Sequence, residues 1–431
     1  MNGRYRFNFS LAVVWLAVSS LALAQDSGLL QTVTPQQNLT LEHLDPITVD
    51  PQLSLPQLLE QTVEQYPDRL VNDALLQEAN ALKVRGEGWF AGSAALALDY
   101  YDDRVASDRG SRDASALLEF TPWSWGQRSA AQAVAERAER AALTQSSAIR
   151  LEVARLLREA LWDMALAESR LQQAKINIDV SEKLLSKVRR RVTLGDLPRT
   201  DLLLAESDHL QNRSLLTQAE AEVMHSRKTY SVLTQTTRVP AHYQEAMSER
   251  GQIDDSHPFL EAINALLARK QASVEFAKTT DTINQPKINI GGRTSRDQRD
   301  NSDLQSAGIG VVIPFGHATY DAPEIAAAQL EVSQVIAQRQ HLMRQLEKNL
   351  HEAEHALTVT RTELEIARAM KALANQHYQM MELSFAAGEI NLLDLLKIQA
   401  RSLEAARYAG EQEVKLQRNI AFFNQSLGVL P

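Results

Sequence analysis

Apolar residues recur at helical spacing over several long stretches of the chain. One stretch extends from Gly126 to about Leu194 and a second from about Pro323 to Gly388, and neither has an internal glycine or proline. At 1.5 Å per residue, such helices reach on the order of 110 Å. The same spacing predicts further helices over about 55–90, 200–234 and 258–283, and from Gly388 to about 427.

Within the second long stretch, a set of apolar or small residues is separated by alternating steps of four and three. This rhythm is typical of helices that pack along one another as a coiled coil. The set consists of Leu346, Leu350, Ala353, Leu357, Thr360, Leu364 and Ala367.

In other segments, apolar residues no longer follow helical spacing but alternate strictly with polar ones. Leu96, Leu98 and Tyr100 share one face of an extended segment, for example. Four such segments occur, and a charged loop separates the members of each pair, so the pattern predicts two β-hairpins. The strands are expected over about 93–103, 114–121, 287–293 and 309–313.

Two nine-residue stretches, 195–203 and 388–396, superpose without a gap at an offset of 193 residues. Each begins with a glycine between two long helical runs. Glycine accepts a positive φ and can end a helix, and the acid that follows suits the start of the next helix. Each stretch is therefore predicted to be the turn of a helical hairpin.

The chain as a whole is predicted to be a duplicated helix–strand–strand–helix unit. Pro67 matches Pro258 at an offset of 191 residues, and Pro122 matches Pro314 at an offset of 192. The repeats are expected over 54–235 (strands about 93–121) and 257–431 (strands about 287–314), joined by a linker over 236–256. Residues 1–24, with Arg4 and Arg6 before an apolar run, are predicted to be a signal peptide, and 25–53 an extended arm.

Composition narrows the possible functions. The chain has 431 residues, no cysteine and a net charge of −9 with acids and bases interspersed. There is consequently no thiolate chemistry, and no basic block indicates nucleic acid. No phosphate-binding glycine loop of the nucleotide hydrolases is present, so energy would have to come from a partner.

Four strands per chain cannot close a barrel, and an open sheet edge is not viable in lipid. If the strands cross a membrane, several copies must pool them; two copies supply eight strands and three supply twelve. The alternation and strand length suit an outer-membrane barrel, and aromatic residues lie just beyond the strands, where an interfacial girdle belongs. These are Trp123, Trp125, Phe315 and Tyr320. The alternative is a soluble hairpin that caps a helical rod.

Two motifs carry a resemblance to a known family. Ile313-Pro314-Phe315-Gly316 leaves a predicted strand, and the second turn has the pattern Ala-Gly-Glu-Ile-x-Leu-Leu-Asp-Leu-Leu. With the signal peptide and the duplication, the chain resembles the TolC family of outer membrane efflux proteins from about residue 53 to 427. The resemblance implies a mainly α fold with a small transmembrane β part. It implies a homotrimer whose coiled-coil α-barrel in the periplasm continues into a twelve-stranded β-barrel in outer membrane lipid.

The family resemblance also implies partners and a function. The expected protein is the export duct of a tripartite efflux or type I secretion system, served by a periplasmic adaptor and an inner-membrane pump. The adaptor would contact the turns at Gly195, Asp196, Leu197, Gly388, Glu389 and Ile390. Leu197 and Ile390 are expected to be exposed until a partner covers them; alternatively they fold back onto their own hairpins.

Acidic residues after the second turn narrow the pore in the family. Asp394 matches the first of these acids, but the second is replaced by Lys397. We expect an alternating Asp394/Lys397 ring, in which pairing between chains is an option. Asp201 occupies the place of Asp394 in the first turn, which leaves open that both acids only cap their helices.

His351-Glu352-Ala353-Glu354-His355 matches a zinc-hydrolase motif in letters. With Leu350 and Leu357 in the coiled-coil seam, both histidines fall on the outer side of the helix. We therefore expect them to be solvated surface residues and not metal ligands. No catalytic residue, cofactor or metal site is predicted. The competing function is a soluble periplasmic coiled-coil adaptor or scaffold, although the lipoyl-like β domain usual in adaptors is missing.

Overall fold

The computed structural model describes residues 46–107, 109–279, 285–296, 302–315 and 318–431. The predicted signal peptide and residues 25–45 of the predicted arm lie outside the described residues. The described helices are α1 (Leu55–Gln65), α2 (Asp68–Glu87), α3 (Gln127–Thr193), α4 (Arg199–Thr234), α5 (Pro258–Thr279), α6 (Ala318–Ala387) and α7 (Leu392–Ser426). The strands are β1 (Thr48–Asp50), β2 (Ala95–Asp102), β3 (Arg112–Phe120), β4 (Arg238–Pro240), β5 (Lys287–Arg296) and β6 (Asp303–Val312).

The prediction of one helix over 55–90 was wrong, because α1 and α2 are separate. Proline restricts the residue before it to extended backbone, and Tyr66 before Pro67 has φ −75° and ψ 131°. Helix α1 starts as predicted, with Ser54 as its N-cap in a reciprocal capping box with Gln57.

The two longest helices, α3 and α6, change neighbours about halfway along their length. Next to the four-stranded sheet the packing order is α2–α3–α5–α6, whereas next to the turns it is α4–α3–α7–α6. With 67 and 70 residues, these helices reach on the order of 100 Å. They carry the sheet at one end and the turns at the other.

The predicted coiled-coil seam of α6 is confirmed by its burial. Leu346, Leu357, Leu364 and Ala367 are buried, and Leu350 and Ala353 are partly buried against Phe423 and Leu427 of the α7 end. The seam faces α7, the helix with which α6 packs most extensively.

An ion-pair network holds the layer next to the turns together. Arg170 of α3 binds Glu411 of α7 (Nε to Oε1, 3.1 Å) and also Glu222 of α4. Glu411 is buried and is bound a second time by Arg407. One guanidinium thus joins three of the four helices in this layer.

The sheet has the order β2–β3–β5–β6 and is antiparallel throughout. Its register places Leu96 opposite Leu118, Leu118 opposite Ile290, and Ile290 opposite Ile309. These side chains share one face, and that face is exposed. Its exposed large apolar residues are Leu96, Leu98, Tyr100, Leu118, Ile290, Ile309 and Val311.

The opposite face of the sheet is mostly polar and is crossed by ion pairs, although Tyr101, Leu304 and Val312 are exposed on it. Glu119 binds Lys287 at 2.8 Å, and Asp113 binds Arg293 at 2.7 Å. Within the described residues β2 and β6 each pair on one side only, so both are free edges. None of the helices described is long and apolar enough to cross a membrane.

A second, smaller sheet was not predicted. Strands β1 and β4 pair in parallel, with Val49 opposite Val239. They lie beside an apolar core built from α1, the middle of α3 and the end of α4, in which Leu58, Leu157, Leu161 and Tyr230 are fully buried. This core occupies the level at which α3 changes neighbours.

At the same level, Arg158 of α3 is buried, with 1% of its surface exposed. Its guanidinium donates to both oxygens of Glu245, at 2.8 and 2.6 Å, and to the carbonyl of Val429 at 3.0 Å. It also donates to Gln425 of α7. Asn424 completes the network by donating to Glu245 at 3.1 Å. Arg158 therefore joins α3, the linker and the end of α7.

We expect Arg158→Ala to lower the free energy of unfolding by about 3–5 kcal/mol, since it leaves the carboxylate of Glu245 buried and unpaired. Thermal loss of helical circular dichroism in detergent measures the change. Arg155→Ala is the matched control; this neighbouring arginine binds Glu152 and Glu159 at the surface, and its loss should cost at most about 1 kcal/mol. Equal shifts for both variants would contradict the assignment.

Candidate functional site

The two turns have the same backbone structure. Gly195 and Gly388 have φ values of 85° and 80°. In each turn the glycine N–H donates to the carbonyl three residues earlier, at 3.1 Å, and the next N–H to the carbonyl five residues before it, at 2.9 Å. This is the Schellman ending of a helix. The matching sequences at an offset of 193 residues therefore fold into matching turns.

An apolar cluster packs the two turns side by side. We call it the tip cluster; it draws residues from the ends of α3 and α6 and the starts of α4 and α7. Burial raises the pKa of Tyr378 at its margin to about 12, with Glu382 adding to the rise, so the phenol stays neutral. The buried members are Leu184, Leu185, Val188, Ala205, Phe385, Leu392, Leu395 and Leu396.

Polar contacts between α3 and α6 strengthen this junction. Lys187 binds Glu382 at 2.7 Å. Arg191 donates to the carbonyl of Phe385 at 3.0 Å, and its guanidinium carbon lies 5.1 Å from the centre of that ring. The same carbonyl also accepts from the Gly388 N–H at 3.1 Å in the Schellman ending of α6, and a carbonyl oxygen can accept two hydrogen bonds. Arg191 therefore caps the partner hairpin, a role that sequence reasoning missed because it depends on a residue 194 positions away.

The expected exposure of Leu197 and Ile390 was wrong. Both are partly buried and pack on the tip cluster, so they fold back on their own hairpins, which was the alternative. An apolar side chain next to a turn lowers its free energy by covering the cluster rather than facing water. Gly195, Asp196, Gly388 and Glu389 are exposed and form the accessible surface of the turns.

Asp394 and Lys397 are paired within one chain. The Lys397 ammonium donates to Oδ1 of Asp394 at 3.3 Å, and the amide of Asn391 donates to Oδ2 at 2.9 Å. Asn391 is the N-cap of α7, accepting from the Asp394 N–H at 2.8 Å. The carboxylate thus lies in the first turn of α7, where the helix dipole favours negative charge. Asp201 occupies the first turn of α4 and is partly buried.

The four aromatic residues predicted beside the strands divide into two groups. Trp125, Phe315 and Tyr320 are exposed, whereas Trp123 is partly buried and donates from Nε1 to the carbonyl of Gly88 at 3.0 Å. A further exposed tryptophan, Trp89, precedes β2. Sequence reasoning missed Trp89 because the helix was expected to continue to residue 90.

His351 and His355 lie on the exposed side of α6, as the seam predicts. Within the described part of the chain, no group of three His, Asp, Glu or Cys residues is arranged to hold a metal ion.

Arg191→Ala should loosen the junction of the two turns. Losing a charged, partly buried hydrogen bond costs about 1.5–3 kcal/mol, so amide hydrogen exchange over 380–396 should accelerate by about tenfold or more. Arg190→Ala, which removes the exposed neighbour, is the control and should leave exchange unchanged. Equal protection in both variants would show that Arg191 does not tie the turns.

Comparison with known proteins gives one related sequence and several solved structures of similar fold. No family model matches the chain. The cobalt-zinc-cadmium resistance protein CzcC of Cupriavidus metallidurans is 23% identical over 321 residues, which is 70% of this chain and 74% of that protein.

Several solved channels share the fold. The outer membrane protein VceC of Vibrio cholerae superposes with a TM-score of 0.69 at 15% identity, over 87% of this chain and 96% of VceC. CusC gives 0.70 at 12% identity over 87% and 92%, and the outer membrane channel CmeC of Campylobacter jejuni gives 0.67 at 15% over 87% and 85%. The chain therefore has the fold of the TolC family of outer membrane channels, as the motifs at its second turn and after its last strand predict.

Proposed function

We propose that this protein is the outer membrane duct of a tripartite export system. Three copies pool their sheets into one twelve-stranded barrel and their helices into a tube in the periplasm. The observation that carries the proposal is the four-stranded sheet, which has an exposed apolar face, a polar face with ion pairs, and two free edges.

The apolar face supports a position in lipid. Its seven large apolar residues are exposed on one side of the sheet, and an exposed patch of this kind in water is unusual for a soluble protein. The opposite face carries the charged pairs Glu119–Lys287 and Asp113–Arg293. Lipid outside and water inside is the arrangement that this alternation suits.

The free edges support assembly of several copies. In lipid, every strand N–H and C=O needs a partner, so β2 and β6 must pair with strands of other copies. Three copies supply twelve strands, the number that the family resemblance implies. The exposed Trp125, Phe315 and Tyr320 then stand at the lipid–water boundary.

The turns are the proposed contact with a periplasmic adaptor, which links the duct to an inner-membrane pump. Their accessible surface consists of Gly195, Asp196, Gly388 and Glu389, with Leu197 and Ile390 shaping it from beneath. The cargo would be chosen by the pump. The name of CzcC makes cobalt, zinc and cadmium ions the first cargoes to test.

Asp394, Lys397 and Asp201 are the proposed constriction of the pore beside the turns. Because Asp394 and Lys397 are paired within a chain, the ring that three copies form would carry little net charge. This refines the expected alternating ring, in which pairing between chains was possible.

Purified from outer membranes in detergent, the protein is expected to be a trimer that conducts ions in a planar bilayer. A variant without residues 93–121, which lacks the first hairpin, should give no trimer and no conductance while its long helices keep their circular dichroism. Recovery of the intact protein as a soluble periplasmic monomer would contradict the duct and favour the scaffold alternative.

Single charge changes at the constriction should alter ion selectivity in opposite directions. Asp394→Ala should lower the cation-to-anion permeability ratio and Lys397→Ala should raise it, each by at least about twofold, because one unit charge at ~10 Å in water is worth ~0.4 kcal/mol and each substitution removes one charge from all three copies. The double variant removes a neutral pair and should resemble the wild type. If neither single variant changes selectivity, these residues do not line the constriction.

A further inference from the structure

The apolar face of the sheet ends in a row of charged residues at the end remote from the helices. The register places Asp102 opposite Arg112, Arg112 opposite Arg296, and Arg296 opposite Asp303. Arg112 is six residues before Leu118 on β3, so this row lies on the same face of the sheet as the apolar residues. We call these four charged residues the rim row.

The rim row lies about one membrane thickness from the helical end of the sheet. Eight residues of β3 separate Arg112 from Phe120, beside the helices. They span about 27 Å along the strand, and about 20 Å along the membrane normal at the usual tilt of barrel strands. The apolar band of an outer-membrane barrel is about 25 Å tall. With the helices in the periplasm, the rim row therefore lies where the hydrocarbon of the outer leaflet gives way to head groups.

Tyr100 supports this level independently. It is 64% exposed on the apolar face, and its hydroxyl donates to Oδ2 of Asp102 at 3.0 Å. A tyrosine whose ring is exposed to lipid and whose hydroxyl has a polar partner is typical of the boundary between lipid and water. The boundary therefore runs between the ring of Tyr100 and the rim row.

Two arginines stand side by side in the middle of the rim row. Arg112 and Arg296 are directly opposite each other, and like charges in such positions destabilise a strand pair. Arg296 donates from Nε and Nη2 to the two carboxylate oxygens of Asp303, at 2.8 and 3.1 Å. Nε of Arg112 is 3.7 Å from Oδ2 of Asp102, which is too long for a hydrogen bond. Within the described residues, the Arg112 guanidinium thus keeps its donors free for a ligand.

The carboxylate of Asp102 is held by other donors. Besides the hydroxyl of Tyr100, it accepts the backbone N–H of Arg104 at 3.0 Å through Oδ1. The side chain of Arg104 is 61% exposed, and its Nε lies 3.5 Å from Oδ2. Asp102 therefore draws a third arginine to the level of Arg112 and Arg296.

Assembly into a barrel leaves the arginine pair, Arg112 and Arg296, as it is. These residues lie on β3 and β5, the two inner strands of the sheet, whose neighbours are the same in one copy and in a closed barrel. The edge strands β2 and β6 end the row with acids, Asp102 and Asp303. A neighbouring copy therefore brings an acidic edge next to an acidic edge, and the arginine pair stays open to the surrounding lipid.

We propose that Arg112 and Arg296, assisted by Arg104, bind a phosphate group of a phosphorylated glycolipid in the outer leaflet. Such lipids carry phosphate on the sugar head directly above their acyl chains, which is the level of the rim row. A guanidinium binds phosphate oxygens through two parallel N–H donors, and two neighbouring guanidinium groups can hold one phosphate between them. The acyl chains then lie along the apolar face. This inference rests on the proposed barrel and adds the lipid that it recognises.

Binding of purified diphosphoryl lipid A to the detergent-solubilised protein, measured by native mass spectrometry, tests the site. Arg112→Gln with Arg296→Gln should lower the affinity by about tenfold or more, because charged hydrogen bonds are lost. Dephosphorylated lipid A should bind the wild type and this double variant equally. Both arginines lie at the surface, so the double variant should keep its trimer and its conductance.

Arg293→Gln is the matched control. Arg293 lies on the same strand as Arg296 and is likewise bound to an aspartate, Asp113 at 2.7 Å, but it belongs to the opposite face of the sheet. Its loss should leave the affinity for lipid A unchanged. An equal loss of affinity in this variant would show a general effect of charge and overturn the site.

The remaining outcomes separate this inference from the proposed function. A conducting trimer whose affinity for lipid A survives the loss of Arg112 and Arg296 would overturn the lipid site and leave the duct standing. Inorganic phosphate that displaces lipid A at the same concentration would make the ligand a free anion and overturn the lipid assignment. Loss of wild-type binding on chelation of divalent cations would assign the contact to the acids and contradict the arginine site. A protein recovered without trimer or conductance would overturn the barrel itself.

Discussion

The structure depends on a junction halfway along α3, where this helix exchanges its neighbours near the sheet for those near the turns. Helices α2 and α5 flank it near the sheet and α4 and α7 flank it near the turns, so the two layers are joined where one set of neighbours gives way to the other. Arg158 holds this junction together by binding Glu245 of the linker, Gln425 of α7 and the carbonyl of Val429. Its charge is tolerated in a buried position because a carboxylate and acceptor oxygens surround it.

The contacts of Arg158 also help to hold the two helical hairpins together. Arg158 lies on α3 in the first half of the chain, whereas the end of α7 belongs to the second half, so its contacts tie the two halves and the linker together. The tip cluster fixes the same two halves to each other at the far end. Between these points the hairpins are held by the Arg170 network, so the layer next to the turns is tied at three levels along its length.

Periodic features were predictable from the sequence. Helix runs, strand alternation and the seam from Leu346 to Ala367 are repeated signals, each supported by many residues, and the glycine turns have a direct backbone cause. The motifs at the second turn and after the last strand predicted the fold of outer membrane channels. The order of strands in the sheet agrees with two hairpins placed side by side.

Single long-range contacts were not predictable. Nothing near Arg158 in the sequence distinguishes it from Arg155, yet one is buried and the other lies at the surface. Burial of Leu197 and Ile390 depends on how the two turns meet, and local pattern only left it open as an alternative. The break at Pro67 was visible in principle, because proline restricts the preceding residue, but it was outweighed by the apolar spacing on either side. At the site, the sequence places Asp394 three residues before Lys397, whereas their direct pairing and the second hydrogen bond from Asn391 became evident only in the structure.

The seam between α6 and α7 restricts where these helices can change in length. One inserted residue within the seam rotates everything beyond it by 100° and moves it 1.5 Å along the axis, so part of the buried row from Leu346 to Ala367 would leave the face that meets α7. Differences in length are compatible with the packing only outside this row. The two halves of the chain do differ in this way: α3 has 67 residues and α6 has 70, and the offset between the halves grows from 191 residues at Pro67 and Pro258 to 193 at the turns.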